Sequence, residues 1–286
     1  MFIEAQLQNM TKWEDFTYIF TKIASRRYKA VEKANPENVI IFNEYDENIP
    51  EAISKELPMF IAMPENLMGY PIPENVLNPA EGDALITHYE VLLVGCIRAR
   101  MIAAGKNPDT ASVTSMLNWL ESTDFFTAPA SAHNHEAFPR GLVVHTLKVY
   151  NKMCELWVLP DFENIDIHSI VLTALVHDWC KIGLYEQYMR NVKNEETGAW
   201  EKKPDYRRQP TACIGSFGHG ATSMFLANRL MKLSVEEALA IRWHMGEYNV
   251  ANSEMDDLHT ANSRYPLVYM IQFADRLACT DYPNHN

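Results

Sequence analysis

Apolar residues recur at helical spacing over much of the chain, most plainly in its second half. Residues 142–159 carry one apolar stripe at 143, 147, 150, 154 and 157 and a second at 142, 149, 153 and 156. A helix that is apolar on two sides is buried on both. Residues 167–182 have the same character, and 219–233 read as a further helix. Ser234-Val-Glu-Glu237 opens the next helix with a capping-box pattern, and residues 266–280 start with proline at the first helical position. Between these helices, residues 185–208 hold the turn signal Asn194-Glu-Glu-Thr-Gly198 flanked by Tyr, Val and Trp, which predicts a β-hairpin.

The first half is less regular. Residues 13–31 read as an amphipathic helix, 39–45 as a short strand, and 83–105 and 111–122 as helices. Residues 44–83 contain prolines at 50, 58, 64, 71, 73 and 79, which no continuous helix tolerates, so an irregular connection over the surface is expected there. The fold class is mainly α, with a small β-hairpin excursion and an N-terminal α or α+β extension. Residues 1–110 are expected to form an N-terminal region of unknown role, and 111–286 the helical domain.

Composition narrows the possible functions. A chain of 286 residues can bury a sizeable core, and its formal charge of −12 argues against a sleeve for long duplex nucleic acid. Much of that charge lies in residues 44–83, where nine acids face one lysine, Lys55. The longest apolar stretch, 89–104, is broken by Arg98 and Arg100, so no membrane-spanning helix is expected. The opening MFIEAQLQNM lacks the basic and apolar regions of a secretory signal. Five scattered cysteines without a CxxC pair read as thiols of a reducing compartment, which makes the expected location cytoplasmic.

The chemistry lies in polar residues on helices that should be buried. His177 and Asp178 close the apolar run that begins at Ser169, Asp275 continues the stripe of Val268, Ile271 and Ala278, and His145 sits between Leu142 and Val149. An unpaired buried carboxylate costs several kcal/mol, so it needs a cation or a full set of hydrogen bonds. His219, in Gly218-His-Gly220, and His244, before Gly246, are placed at helix ends. Nitrogen and carboxylate donors together suit a first-row transition metal. The competing reading of these six residues is a satisfied hydrogen-bond network inside the core.

The order His145, His177-Asp178, His219, His244, Asp275 resembles the HD-domain metal-dependent phosphohydrolase superfamily. The strings Phe138-Pro-Arg-Gly-Leu-Val-Val-His145, Val176-His-Asp-Trp-Cys-Lys-Ile-Gly183 and Phe273-Ala-Asp-Arg-Leu-Ala278 carry the likeness, over roughly residues 115–282. Ala128-Pro-Ala-Ser131 followed by His133 and His135 is similar to the HD proteins of phage, plasmid-relaxase and exoribonuclease type. The resemblance implies an HD-type helical bundle holding one or two divalent metal ions: Mn, Fe or Zn, with Mg, Ni or Co as further candidates. It makes His145, His177, Asp178 and Asp275 one metal's ligands, adds His219 and His244 for a second, and has Asp178 bridge the pair. Lys181 and Arg140 are then expected to bind phosphate oxygens, and His133 or His135 to serve the leaving group. Arg140 stands where many relatives have glycine.

The function implied is hydrolysis of a small phosphorylated substrate, a nucleotide by default, through a metal-activated water. Three alternatives use the same residues: a di-iron oxygenase, a non-catalytic nucleotide-binding or assembly module, and an exoribonuclease. For the last, no basic nucleic-acid module is evident in residues 1–110. The cations Arg190, Lys193, Lys202, Lys203, Arg207 and Arg208 of the expected hairpin are interleaved with acids, which favours a solvated hairpin.

Overall fold

A computed structural model describes residues 17–24, 27–43, 49–53, 68–105, 110–209 and 217–280. The N-terminal region opens with β-structure. Strands β1 (Tyr18–Ala24), β2 (Arg27–Glu32) and β3 (Val39–Asn43) form an antiparallel sheet in that order. This corrects the helix expected over 13–31. The segments Tyr-Ile-Phe-Thr-Lys-Ile-Ala and Arg-Tyr-Lys-Ala-Val-Glu are rich in β-branched and aromatic residues, and strand pairing wins over the helical spacing. Residues 13–16, part of that expectation, lie outside the described residues. The strand expected at 39–45 is present as far as Asn43. Tyr18, Ala30, Phe42 and Ile53 make a small core of their own beneath this sheet.

Of the irregular connection expected over 44–83, residues 44–48 and 54–67 lie outside the described residues, and the described part is not wholly a surface feature. After a helical turn at 51–53, residues 68–81 run in turns, but Met68 and Ile72 are buried in the main core. Side chains of the bundle hold this stretch down. Gly69 N–H donates to Tyr150 Oη at 2.8 Å, and Asn151 bonds both the N–H and the C=O of Ile72, at 2.7 and 2.8 Å.

The remainder is mainly helical. Helices α1 (Gly82–Ala103), α2 (Thr110–Glu121), α3 (Gly141–Leu156) and α4 (Ile167–Val176) are followed by a 3₁₀ turn at Trp179–Lys181. Then come the hairpin β4 (Tyr185–Lys193) and β5 (Trp200–Arg208), and helices α5 (His219–Leu230), α6 (Val235–Trp243), α7 (Met255–Arg264) and α8 (Pro266–Thr280). The capping box at Ser234 forms, with Ser234 N–H donating to Glu237 Oε2 and Glu237 N–H to Ser234 Oγ. In the hairpin turn Asn194 Oδ1 accepts from the N–H groups of Glu196 and Thr197, and Gly198 takes the left-handed φ of 70°. Helix α7 was not anticipated. Its polar sequence, Met-Asp-Asp-Leu-His-Thr-Ala-Asn-Ser-Arg, buries only Leu258 and Ala261, too few apolar residues to mark a helix in the sequence.

Helix α8 packs against α3 and α6, while α4 packs against both α3 and α1. One hydrophobic cluster runs from Met68 to Ala278 and includes Leu85, Tyr89, Leu92 and Leu93 of α1. The main core therefore reaches back across residue 110. Tyr89 ties α1 to the centre, since its hydroxyl donates to the Leu175 carbonyl at 2.9 Å and accepts from Trp179 Nε1 at 3.0 Å. Among the described residues no helix is long and apolar enough to cross a membrane. Among the described residues Cys96, Cys154, Cys180 and Cys279 form no disulfide.

Candidate metal centre

Asp178 is the hub where four elements meet. The helix expected over 167–182 stops at Val176, and the backbone at Asp178 leaves helical geometry, with φ −108° and ψ 18°. Cys180 N–H donates to Ser223 Oγ at 2.9 Å and holds the turn against α5. The break swings the Asp178 carboxylate toward side chains on other helices. Its two oxygens face different partners. Oδ1 lies 2.9 Å from Nε2 of His219 and 3.6 Å from Nε2 of His244. Oδ2 lies 3.4 Å from Nε2 of both His145 and His177, and 2.6 Å from Nζ of Lys181. Asp275 closes the far side, its Oδ1 3.1 Å from His145 Nε2.

Three of the histidines are aimed by what lies behind them. His177 Nδ1 is 2.8 Å from the Ala174 carbonyl, and His244 Nδ1 is 2.7 Å from the Ile241 carbonyl. A carbonyl only accepts, so hydrogen bonding assigns the proton of each ring to Nδ1 and leaves Nε2 with a free lone pair. Behind His145, Nδ1 faces Glu136 Oε2 at 3.5 Å. The Nε2 atoms of His145, His177 and His244 are buried and have no hydrogen-bond partner. These three nitrogens, each 3.1–3.6 Å from a carboxylate oxygen, leave the hydrogen-bond network of the competing reading incomplete. They fit a metal: His145, His177 and Asp275, and separately His177, Asp178 and His244, offer ligand atoms within 4.8 Å of one another. Backbone carbonyls and a carboxylate behind ligating imidazoles are the usual outer support of such sites.

The electrostatics are those of a tightly shared charge cluster. Burial opposes a charge on His145, but Asp275 and Glu136 outweigh it and hold its pKa up at about 9. Burial would raise Asp178, yet Lys181 and the histidines hold it well below the carboxylate range; Asp275 is lowered in the same way by His145. Asp178 likewise lifts His244 against the effect of burial, whereas burial wins at His219 and lowers it.

Glycines set the spacing of the two helix-end histidines. Gly218 has φ 85° ahead of α5, and a Cβ on Gly220 would collide with the carbonyl oxygens of Arg242 and Ile241. The first turn of α5 thus sits directly on the end of α6, which brings the His219 and His244 rings to 5.1 Å between centroids.

A cleft of about 970 Å³ opens over the cluster. Lys181, His219, His244 and Asp275 form part of its wall, with His135 on one side and Tyr185, Tyr248, Tyr269 and Phe273 around it. His135 Nε2 is buried without a partner, and its ring is 4.7 Å from that of His145; burial and the His145 charge bring its pKa down to about 4. Lys181 is buried as well, with its ammonium on Asp178.

Two expected substrate contacts are not brought to the cleft. Arg140 donates to the Pro79 carbonyl at 2.9 Å and lies over Gly82, so its guanidinium braces the start of α1. Its backbone takes the left-handed φ of 69°, a conformation that suits glycine. His133 is 59% exposed and stands 3.4 Å from Asp205 of the hairpin. Neither lines the cleft. Trp243 is a core residue, while Tyr248 is 83% exposed at the cleft.

Sequence reasoning missed Glu136, Cys180 and Cys279. Glu136 is fully buried and bonds Lys148 at 2.8 Å, and Cys180 Sγ is 3.2 Å from His219 Nδ1. Cys279 lies one helical turn beyond Asp275, near His135 and His145, and burial pushes its thiol up to about 12. The i+4 spacing from Asp275 was the only signal for it. Nothing in the sequence marks Glu136, which a loop carries to the centre.

No protein-family model matches this chain, and neither does any curated protein or solved structure in the comparisons made.

Proposed function

We propose that the chain is a metal-dependent phosphohydrolase of the HD type, acting on a small phosphorylated substrate such as a nucleotide. One observation carries the reading: the two oxygens of Asp178 face two separate pairs of histidines, and one of those pairs, His219 and His244, lines an open cleft. His145, His177, Asp178 and Asp275 would hold one ion, and Asp178, His219 and His244 a second. An ion bound there supplies a water acidified toward neutral pH and a positive clamp for phosphoryl oxygens.

The chain's own residues do the rest. Lys181 spends one N–H on Asp178 and retains two for phosphate oxygens in the cleft. His135, which also lines the cleft, presents a buried, unpartnered nitrogen that would bond a substrate oxygen. Tyr269 and Phe273 offer ring surface for the remainder of the substrate. The N/O donor set suits Mn, Fe or Zn.

A screen of nucleotides, cyclic nucleotides and short oligonucleotides with added Mn²⁺, read without oxygen as release of phosphate or of nucleoside monophosphate, tests the proposal. Turnover that is lost in Asp178→Ala supports it. Substrate oxidation with oxygen uptake and no phosphate release would replace it with an oxygenase.

A further inference from the structure

The register of the hairpin sorts its charges by face. Residues opposite one another in an antiparallel pair share a face, and neighbours along a strand alternate. β4 and β5 pair without a slip from Tyr185↔Arg208 to Lys193↔Trp200. One face therefore carries Glu186, Asp205 and Glu201 together with Arg190, Lys203 and Arg207. There each cation has its acid: Arg207 meets Glu186 at 2.7 Å, Arg190 meets Asp205 at 3.1 Å, and Lys203 meets Glu201 at 3.9 Å. The other face carries Lys193, Lys202 and Arg208 and no acid. Among the described residues none of these three forms an ion pair.

A chain with a formal charge of −12 has no compositional reason to clear one sheet face of acids. That same face shows Tyr206, Met189 and Trp200, the last two 55% and 72% exposed. The open ring of Trp200 thus stands between unpaired cations on a face without acids. The face also ends on Tyr185, which lines the cleft above Asp178, so the strip of about 30 Å runs into the candidate centre.

Unpaired cations interleaved with open rings suit one class of ligand. A single-stranded nucleic acid offers phosphates to the cations and unstacked bases to the rings, whereas a duplex keeps its bases stacked inside. We infer that the Lys193–Lys202–Arg208 face of the hairpin binds single-stranded nucleic acid and leads it toward the cleft. This binding does not depend on the phosphohydrolase reading, because it resides in residues that touch none of the six candidate ligands.

Two charge-matched triple variants of the full chain test it by fluorescence anisotropy with labelled oligo(dT) and oligo(rU), in buffer without added divalent metal. K193A/K202A/R208A strips the acid-free face, and R190A/K203A/R207A strips the paired one. The first variant is expected to lower the slope of log affinity against log salt by about 2, at about 0.7 per phosphate contact on a single strand. The second is expected to leave that slope nearly unchanged. Trp200→Ala is expected to weaken binding about five-fold or more without altering the slope, since stacking carries no charge. Equal losses in the two triple variants, no measurable binding by the parent chain, or equal affinity for a duplex of the same length or for heparin would each overturn the inference. Circular dichroism of the hairpin variants keeps misfolding separate from lost contacts.

Discussion

Nδ1 of His145 faces Oε2 of Glu136 at 3.5 Å, and both side chains are fully buried. The Glu136 carboxylate also takes the Lys148 ammonium at 2.8 Å. Glu136 thus stands behind His145 as the Ala174 and Ile241 carbonyls stand behind His177 and His244. It faces the back of the candidate ligand His145, away from Nε2, where it would act by positioning the imidazole.

Glu136→Gln keeps the shape and removes the charge behind His145. Metal affinity is expected to fall about 10- to 100-fold, as measured by competition with a chelator, while the far-ultraviolet dichroism stays as in the parent. Unchanged affinity would make the Glu136–His145 contact a packing detail.

Gly220→Ala tests whether the α5–α6 contact places the histidines. The added methyl meets the Arg242 and Ile241 carbonyls, so the first turn of α5 must lift from the end of α6. A stability loss of about 1–3 kcal/mol in urea is expected, with weaker metal binding because His219 and His244 move apart. A loss of stability with metal affinity intact would separate the glycine from the site.

Glu237 gives a pH dependence far from the metal candidates. Burial would raise its carboxyl, but Arg100, the Ser234 N–H and the Ser169 hydroxyl outweigh it and hold the pKa below the ordinary carboxylate value. A depressed carboxylate stabilises the fold fully above the unfolded value near pH 4.3, and the contribution is lost as pH falls through the lower folded value. Glu237→Gln is expected to cost about 2 kcal/mol at pH 7 in urea unfolding, with the gap to the parent chain closing toward pH 3. A gap independent of pH would contradict this.

Tyr89→Phe removes a hydroxyl with two buried partners, the Leu175 carbonyl and the Trp179 indole N–H. Leaving both unpaired is expected to cost about 1–3 kcal/mol in denaturant unfolding. No change would mean that water replaces the hydroxyl.

The helices of the second half were legible because their burial leaves a periodic apolar record, as in α3, where eleven residues from Gly141 to Cys154 are buried. The six candidate ligands were legible for the complementary reason, as polar residues interrupting that record, and the fold brings all six together around Asp178. The N-terminal sheet was misread because short strands rich in Ile, Val and Tyr carry no period long enough to separate them from a helix. Arg140 was misplaced because sequence order cannot show that Pro79 and Gly82 would take its guanidinium. The hairpin was found, but the separation of its charges appears only once the register is known.

We propose that the His145–His177–Asp178–His219–His244–Asp275 cluster holds divalent metal. Elemental mass spectrometry of the purified chain, beside Asp178→Ala and the remote Glu237→Gln, tests it most directly. The account predicts one to two equivalents of Mn, Fe or Zn per chain, lost in Asp178→Ala and kept in Glu237→Gln. Sub-stoichiometric metal in the parent chain after growth with added Mn, Fe and Zn, or equal metal in Asp178→Ala, would contradict it.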